Sequence, residues 1–133
     1  MKTFSISDIG KRREMNQDYM YTSENAVGNL PNLFIVADGM GGHKAGEYAS
    51  RYTVESIVES IEKDERTEPV EVIEHAICKA NEELIKKAAG DEAMSGMGTT
   101  VVVVTVIGKK AWVANVGDSR MYVVAVSYTH LRA

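Results

Sequence analysis

The fold is decided by residues 33–42, which read Leu33-Phe34-Ile35-Val36-Ala37-Asp38-Gly39-Met40-Gly41-Gly42. The continuous apolar run predicts a buried strand that ends in the carboxylate of Asp38 and leads into a glycine-rich loop. Hard divalent cations are commonly held by such carboxylates, and Gly39 leaves room for its own carbonyl to approach an ion. The residues alone keep a second interpretation open, in which Asp38 only caps the following helix.

The segments after this strand predict two helices. Apolar residues recur at helical spacing between about Gly46 and Lys63, and again after Pro69, a residue suited to a first helical turn. The apolar stripes are Val54, Ile57, Val58 and Ile61 in the first helix, and Ile73, Ala76, Ile77, Ala80 and Leu84 in the second. We expect each helix to pack one side against a sheet.

Strands are predicted on both sides of this central part. The alternation of polar and apolar residues predicts a hairpin-like pair from 3–7 and 18–22, and β-branched runs predict strands over 99–107, 111–116 and 119–124. Strands that precede and follow a helix pair indicate an α+β fold with antiparallel pairing.

Two other carboxylates stand near predicted strand ends. Asp18 follows Arg13, and a phosphate-handling metal site needs both a carboxylate for the cation and a guanidinium for phosphate oxygens. Asp118 follows Gly117 in a second such position. Taken alone, Arg13 also fits a surface ion pair, and Gly117-Asp118 also fits an ordinary hairpin turn.

Composition excludes several classes of function. With 19 acidic and 15 basic residues, the net charge of −4 offers no footprint for nucleic acid or an anionic membrane. The longest apolar run is far shorter than the roughly 20 residues of a membrane helix, and the N-terminus does not read as a signal peptide. The single cysteine, Cys78, forms no intrachain disulfide and is interpreted as a packing or surface thiol, so we expect a cytoplasmic protein.

Four ordered motifs together resemble the bacterial branch of the metal-dependent type 2C (PPM-type) serine/threonine protein phosphatases. They are Arg13-x-x-Asn16-Gln17-Asp18, Val36-Ala37-Asp38-Gly39-Met40-Gly41-Gly42, Gly98-Thr99-Thr100 and Val116-Gly117-Asp118-Ser119-Arg120. The resemblance implies the N-terminal portion of a four-layer α-β-β-α sandwich with two mostly antiparallel sheets.

The resemblance also implies a chemistry. Two Mn²⁺ or Mg²⁺ ions, with a possible third, activate a water that hydrolyses phosphoserine or phosphothreonine in proteins that a serine/threonine kinase has modified. By similarity Asp38 bridges both ions, Gly39 through its carbonyl and Asp18 serve one of them, and Asp118 belongs to the additional, weaker site. Arg13 holds the substrate phosphate and, with Asp38, is a catalytic residue.

The chain departs from the family pattern in three respects. Met40 stands where some members carry a histidine proposed as general acid, and Met40 donates no proton; His43 is left without that role. Gln17 stands where other members have a glutamate. The chain also ends before the later half of the family, so we expect a partial phosphatase domain over 1–124 and an atypical, foreign tail over 125–133.

The missing half has physical consequences. We expect the strand over 101–107 to expose an apolar edge and the chain to aggregate, and we expect Asp18 and Asp38 alone to bind metal weakly.

Two other functions share features with this sequence. A non-catalytic module or fragment that binds a metal or a phosphoprotein is the alternative, because the distal metal aspartates are absent. A haloacid-dehalogenase phosphatase is disfavoured, because Val36 and Met40 flank Asp38 where that mechanism needs a second aspartate.

Overall fold

The computed structural model describes residues 18–40, 43–90, 97–117 and 120–127. In these ranges two strands are followed by two helices and then three strands, which confirms the α+β class. The elements are β1 (Asp18–Ser23), β2 (Leu33–Met40), α1 (His43–Lys63), α2 (Pro69–Ala89), β3 (Gly98–Ile107), β4 (Lys110–Gly117) and β5 (Arg120–Ser127). The predicted change of segment after residue 124 stays a prediction.

The five strands form one antiparallel sheet in which the spatial order follows the chain order, β1-β2-β3-β4-β5. The expectation that the strand over 101–107 exposes an edge is wrong, because β2 and β4 pair with β3 on both sides. β1 pairs with β2. The other half of the predicted first hairpin, 3–7, lies outside the described residues.

Both helices lie on one face of the sheet, as their apolar stripes predict. α1 crosses β1, β2 and β3, while α2 packs beside α1 and reaches β3 and β4. The core between them consists mainly of aliphatic side chains, among which Leu33, Ile35, Ile57, Ile61, Ile73 and Val103 are almost fully buried. Neither helix among these residues is long and apolar enough to span a lipid bilayer.

Among the described residues no helix lies on the second face of the sheet, and we call it the open face. Strand alternation places alternate residues of β2 and β3 and their register partners there. Its members include Asp18, Met20, Phe34, Val36, Asp38, Met40, Thr100, Val102, Val104, Val106, Val113, Asn115 and Val124. The prediction of a continuously buried β2 is therefore half right: Ile35 is fully buried, whereas Val36 is 49% exposed.

The loop before β2 is fastened to the far end of β3 by Asn32. Its side-chain amide donates to the Val106 carbonyl at 2.8 Å, and its side-chain oxygen accepts from the Val106 amide at 2.7 Å. The Thr105 hydroxyl donates to the Asn32 carbonyl at 2.7 Å. These bonds fix the start of β2 on β3, and hence the register that places Asp38 at the opposite end.

Candidate functional site

Asp18 and Asp38 lie directly opposite each other on β1 and β2. Directly paired residues of antiparallel strands point to the same face, with Cβ atoms roughly 4.5–5.5 Å apart. Asp38 is exposed and Asp18 is half-buried. The register thus brings together, at one end of the open face, two carboxylates that are twenty positions apart in the sequence.

The end of β2 that carries Asp38 is anchored to β3 by Thr99. The hydroxyl of Thr99 lies 3.0 Å from the Asp38 carbonyl oxygen and 2.8 Å from the Thr100 carbonyl oxygen, within donating distance of both. Because the bond to Asp38 joins its backbone, it restrains the Cα position from which the carboxylate projects. Thr99 is thus a positioning residue for Asp38. In the sequence, the motif Gly98-Thr99-Thr100 was the only signal for it.

Asp38 does not stand where a capping residue would. The N-cap residue directly precedes the first helical residue, and α1 begins at His43. Moreover, Ala37 and Gly39 are buried on the covered side of β2, so the Asp38 side chain between them projects from the face opposite α1. Of the two interpretations, this placement favours the ligand over the cap.

Gly39 is required by packing as well as by any role of its carbonyl. A Cβ atom built on Gly39 would lie 1.8 Å from the carbonyl oxygen of Gly46, in the first turns of α1. No side chain fits at that distance, so the glycine at position 39 allows the strand backbone to touch the helix backbone at Gly46. The sequence shows both glycines but does not indicate that they meet.

The donor set suits a hard divalent cation. Like charges directly opposite each other on a sheet are mutually unfavourable, and an ion bound between them removes that cost. Carboxylate oxygens are the ligands that Mg²⁺ and Mn²⁺ prefer. Within the described ranges no group of three or more His, Cys, Asp or Glu residues converges. Asp18 and Asp38 therefore fit one part of a metal centre. They form a carboxylate pair at one end of the sheet, where further ligands could complete the coordination of an ion.

The remaining predicted site residues, Arg13 and Asp118, lie outside the described residues. Gly117, which precedes Asp118, ends β4 beside Thr100: a Cβ on Gly117 would lie 4.0 Å from the Thr100 methyl carbon. Thr100 is in turn the register partner of Asp38. The last described residue of β4 is thus at the same end of the sheet as the carboxylate pair.

A cavity of about 450 Å³ lies near this end, but on the covered face between α2 and the sheet. Its described lining is apolar or neutral and includes Ile77, Leu84, Ile85, Met97 and Val116, with no carboxylate or histidine among the described lining residues. The described part of its wall therefore offers a cation no charged ligand. The carboxylate pair, and not the cavity, is the candidate metal site.

Two other sequence interpretations can be compared with the structure. Cys78 is exposed on α2, which confirms that it is a surface thiol on a helix. Met40 is 48% exposed on the open face, two residues beyond Asp38. Its thioether has no proton to give, so the structure provides no general acid at that position.

Comparison with known proteins places this arrangement in a family. The family model for protein phosphatase 2C matches residues 10–130. Protein phosphatase PhpP of Streptococcus pneumoniae is 36% identical over 124 residues, covering 91% of this chain and 49% of that protein. Serine/threonine phosphatase stp of Listeria monocytogenes is 37% identical over 120 residues, covering 87% of this chain and 47% of that protein.

The fold comparison agrees. The crystal structure of serine/threonine phosphatase Stp1 from Staphylococcus aureus superposes with a TM-score of 0.73 at 29% identity, covering 89% of this chain and 50% of that one. The chain spans about half the length of the curated relatives it matches. Because the family model matches most of the chain and the fold agrees, the chain belongs to the protein phosphatase 2C family.

Proposed function

We propose that this chain carries the Asp18–Asp38 part of a divalent-metal centre for hydrolysis of phosphoserine and phosphothreonine in proteins. One observation carries the proposal: the two aspartates are register partners on the same open face of the sheet. The match to the protein phosphatase 2C family and the relatives named as serine/threonine phosphatases support it.

Each residue has a proposed role. Asp38 would hold the metal ions as the principal ligand, and Asp18 and the Gly39 carbonyl would add to their coordination, directly or through water. Thr99 holds the Asp38 backbone in place through its hydroxyl. Arg13 binds the substrate phosphate, because a guanidinium offers paired donors that match phosphate oxygens. Asp118 would serve a third, weaker ion.

The bound ions, Mn²⁺ or Mg²⁺, supply an acidified water and positive charge beside the phosphoryl group. The chain's own contribution is to hold the carboxylates where that charge is needed. The close contact between Gly39 and Gly46 and the hydroxyl of Thr99 both restrict movement of the strand end that bears Asp38. A fixed ligand geometry is what a transition state with growing negative charge requires.

The substrates we propose are proteins phosphorylated by a serine/threonine kinase. The relatives' names support this class of substrate. A cytoplasmic location is part of the proposal and rests on the single cysteine, which fits a reducing compartment.

The test is a phosphatase assay of the purified chain on a phosphothreonine peptide with Mn²⁺. Asp38→Asn is the decisive variant, and Glu71→Gln, an exposed acid-to-amide change on α2, is the matched control. We expect Mn²⁺-dependent turnover in the wild type and in Glu71→Gln, with a loss of at least about a hundredfold in Asp38→Asn. Equal turnover in Asp38→Asn would refute the assigned role.

A second function, a non-catalytic metal- or phosphoprotein-binding module, is favoured by one observation. Within the described ranges the metal centre has only two carboxylates. Saturable Mn²⁺ binding that depends on Asp38, without any turnover, would select this alternative.

A further inference from the structure

The cavity on the covered face has the size and the lining of a small-molecule site. Its volume is about 450 Å³. Pockets that bind small molecules have volumes of roughly 300–1,000 Å³ and mostly apolar walls. Here α2 forms one wall and the strands β3 and β4 form the other, and the apolar lining residues include Ile77, Leu84, Ile85, Ala88, Val101 and Val116. The described walls therefore suit a ligand with an apolar body.

The polar groups in the described walls are all neutral. They belong to Thr53, Cys78, Asn81 and Thr99, and no lysine, arginine, aspartate or glutamate is among the described lining residues. A charged ligand would leave water without meeting an opposite charge on these residues, which is costly. The described lining therefore favours a neutral molecule over an acid or an amine salt.

One buried polar group in the wall lacks a partner. Thr53 of α1 is 6% exposed, and its hydroxyl makes no hydrogen bond. A buried hydroxyl in this state lowers stability, and buried polar groups in proteins are nearly always paired. Threonine has two accessible rotamers in a helix, so rotation about its Cα–Cβ bond can turn the hydroxyl toward the cavity. A ligand with one N–H, O–H or carbonyl group would supply the missing bond.

The cavity has an entrance along α2. Cys78, Asn81 and Ile85 line it, are exposed, and follow one another at the three- and four-residue spacing of one helix face. Ile85 has 60% of its surface in water. A ligand that enters past these three side chains also removes part of the Ile85 side chain from water, which favours binding.

We propose that this cavity is a binding site for a neutral, largely apolar small molecule whose single hydrogen-bonding group is directed at Thr53. The molecule lies between α2 and the strands β3 and β4. The site is on the opposite face of the sheet from the carboxylates of Asp18 and Asp38. The proposal is therefore independent of any phosphatase activity.

The test is a fluorescence titration of the full chain with N-phenyl-1-naphthylamine, a neutral probe with two aromatic groups and one N–H. Ala88→Phe fills part of the cavity, and Thr53→Val removes the hydroxyl while preserving the shape of the side chain. Val36→Lys is the control, because Val36 is 49% exposed on the open face, the other apolar surface on which such a probe could settle.

We expect one saturable site in the wild type and unchanged affinity in Val36→Lys. Ala88→Phe should raise the dissociation constant at least about tenfold, because its ring occupies the space of the probe. Thr53→Val should raise it about fivefold, the effect of losing one hydrogen bond. Far-UV circular dichroism establishes that each variant is folded.

A second measurement needs no variant. Cys78 is the single cysteine of the chain and lies at the entrance of the cavity, so its alkylation by iodoacetamide reports on occupancy. Mass spectrometry should show slower alkylation of the wild type when the probe is present at saturating concentration.

Three results would overturn the proposed site. They are a wild type without saturable binding, binding that Val36→Lys abolishes and Ala88→Phe leaves unchanged, and alkylation of Cys78 at the same rate with and without the probe. A Thr53→Val variant with wild-type affinity would overturn the role given to the Thr53 hydroxyl.

Discussion

The two faces of β2 differ in burial from one residue to the next. On one side Leu33, Ile35 and Ala37 are fully buried under the helices; on the other, Val36 and Asp38 are exposed. The same eight-residue strand thus supplies both the core and the candidate metal site. The buried side chains on the covered face therefore hold the strand in place, and the open face carries the carboxylate of the candidate metal site.

Substitution of two neighbouring residues of β2, one on each face, should give the largest difference in stability. Ile35→Ala should lower the free energy of unfolding by about 3–4 kcal/mol, because it removes a fully buried side chain and leaves a cavity. Val36→Ala, one position away on the open face, should cost less than about 1 kcal/mol. Urea unfolding of both variants at equal protein concentration measures the difference. Equal losses would show that the open face is as well packed as the covered one.

The contact between β2 and α1 predicts a slightly smaller effect. Gly39→Ala should cost about 2–3 kcal/mol, because the new methyl group meets the Gly46 carbonyl at 1.8 Å and the helix must shift. Gly98→Ala is the matched control, since its methyl group would find the Met40 side chain at an ordinary 3.6 Å.

Thermal melts of the two glycine variants test this. If the two variants have the same melting temperature, the backbones of β2 and α1 do not touch at Gly46.

The sequence predicts much of this architecture, and the reasons are local. Periodic apolar residues such as Val54, Ile57 and Ile61 specify a helix face, and Pro69 marks the start of α2. The end of a buried strand at Asp38 could also be read directly, because Asp-Gly interrupts an apolar run.

What the sequence could not provide were relations across the fold. The pairing of Asp18 with Asp38 depends on register, and the contact of Gly39 with Gly46 depends on how closely the helix approaches. The exposure of Val36 depends on which face of the sheet the helices cover. An apolar run of five residues does not predict which face that is. The sequence alone therefore predicts a continuously buried β2 and an exposed edge at β3, and the structure corrects both expectations.

Loss of the Thr99 hydroxyl, which holds the backbone of Asp38, should lower the free energy of unfolding by about 1 kcal/mol. Thr99→Val removes the hydroxyl that lies within donating distance of the Asp38 and Thr100 carbonyls while preserving the shape of the side chain. Thr99→Ser keeps the hydroxyl and serves as the control. Chemical denaturation gives the stabilities, and metal titration gives the functional readout. A Thr99→Val variant with unchanged stability and unchanged Mn²⁺ affinity would remove Thr99 from the account.

The smallest expected effect is a pH dependence of stability that arises from Tyr52, between the two helices of the covered face. The pKa of Tyr52 is raised above 10.0, mainly because the phenol is partly buried. The negative charge of Glu83, whose carboxylate accepts a hydrogen bond from the Tyr52 hydroxyl at 3.3 Å, is the second cause. The stabilising contribution of the neutral phenol is complete below pH 10 and is lost as pH rises through the folded-state pKa.

Melting temperatures between pH 8 and about pH 11 test this on wild type and Tyr52→Phe. The variant should lose less stability than the wild type at the alkaline end. Parallel pH profiles would show that Tyr52 does not contribute to this dependence.

The most direct test of the central claim is a Mn²⁺ titration of the chain, with free Mn²⁺ counted by electron paramagnetic resonance. If Asp18 and Asp38 form the metal site, the wild type and Glu71→Gln bind Mn²⁺ saturably, and Asp38→Asn and Asp18→Asn lose that binding. When free Mn²⁺ is ten times its dissociation constant, the wild type should also gain about 1.4 kcal/mol of stability that Asp38→Asn does not gain. Undiminished Mn²⁺ binding by Asp38→Asn would contradict the assignment of the carboxylate pair as the metal site.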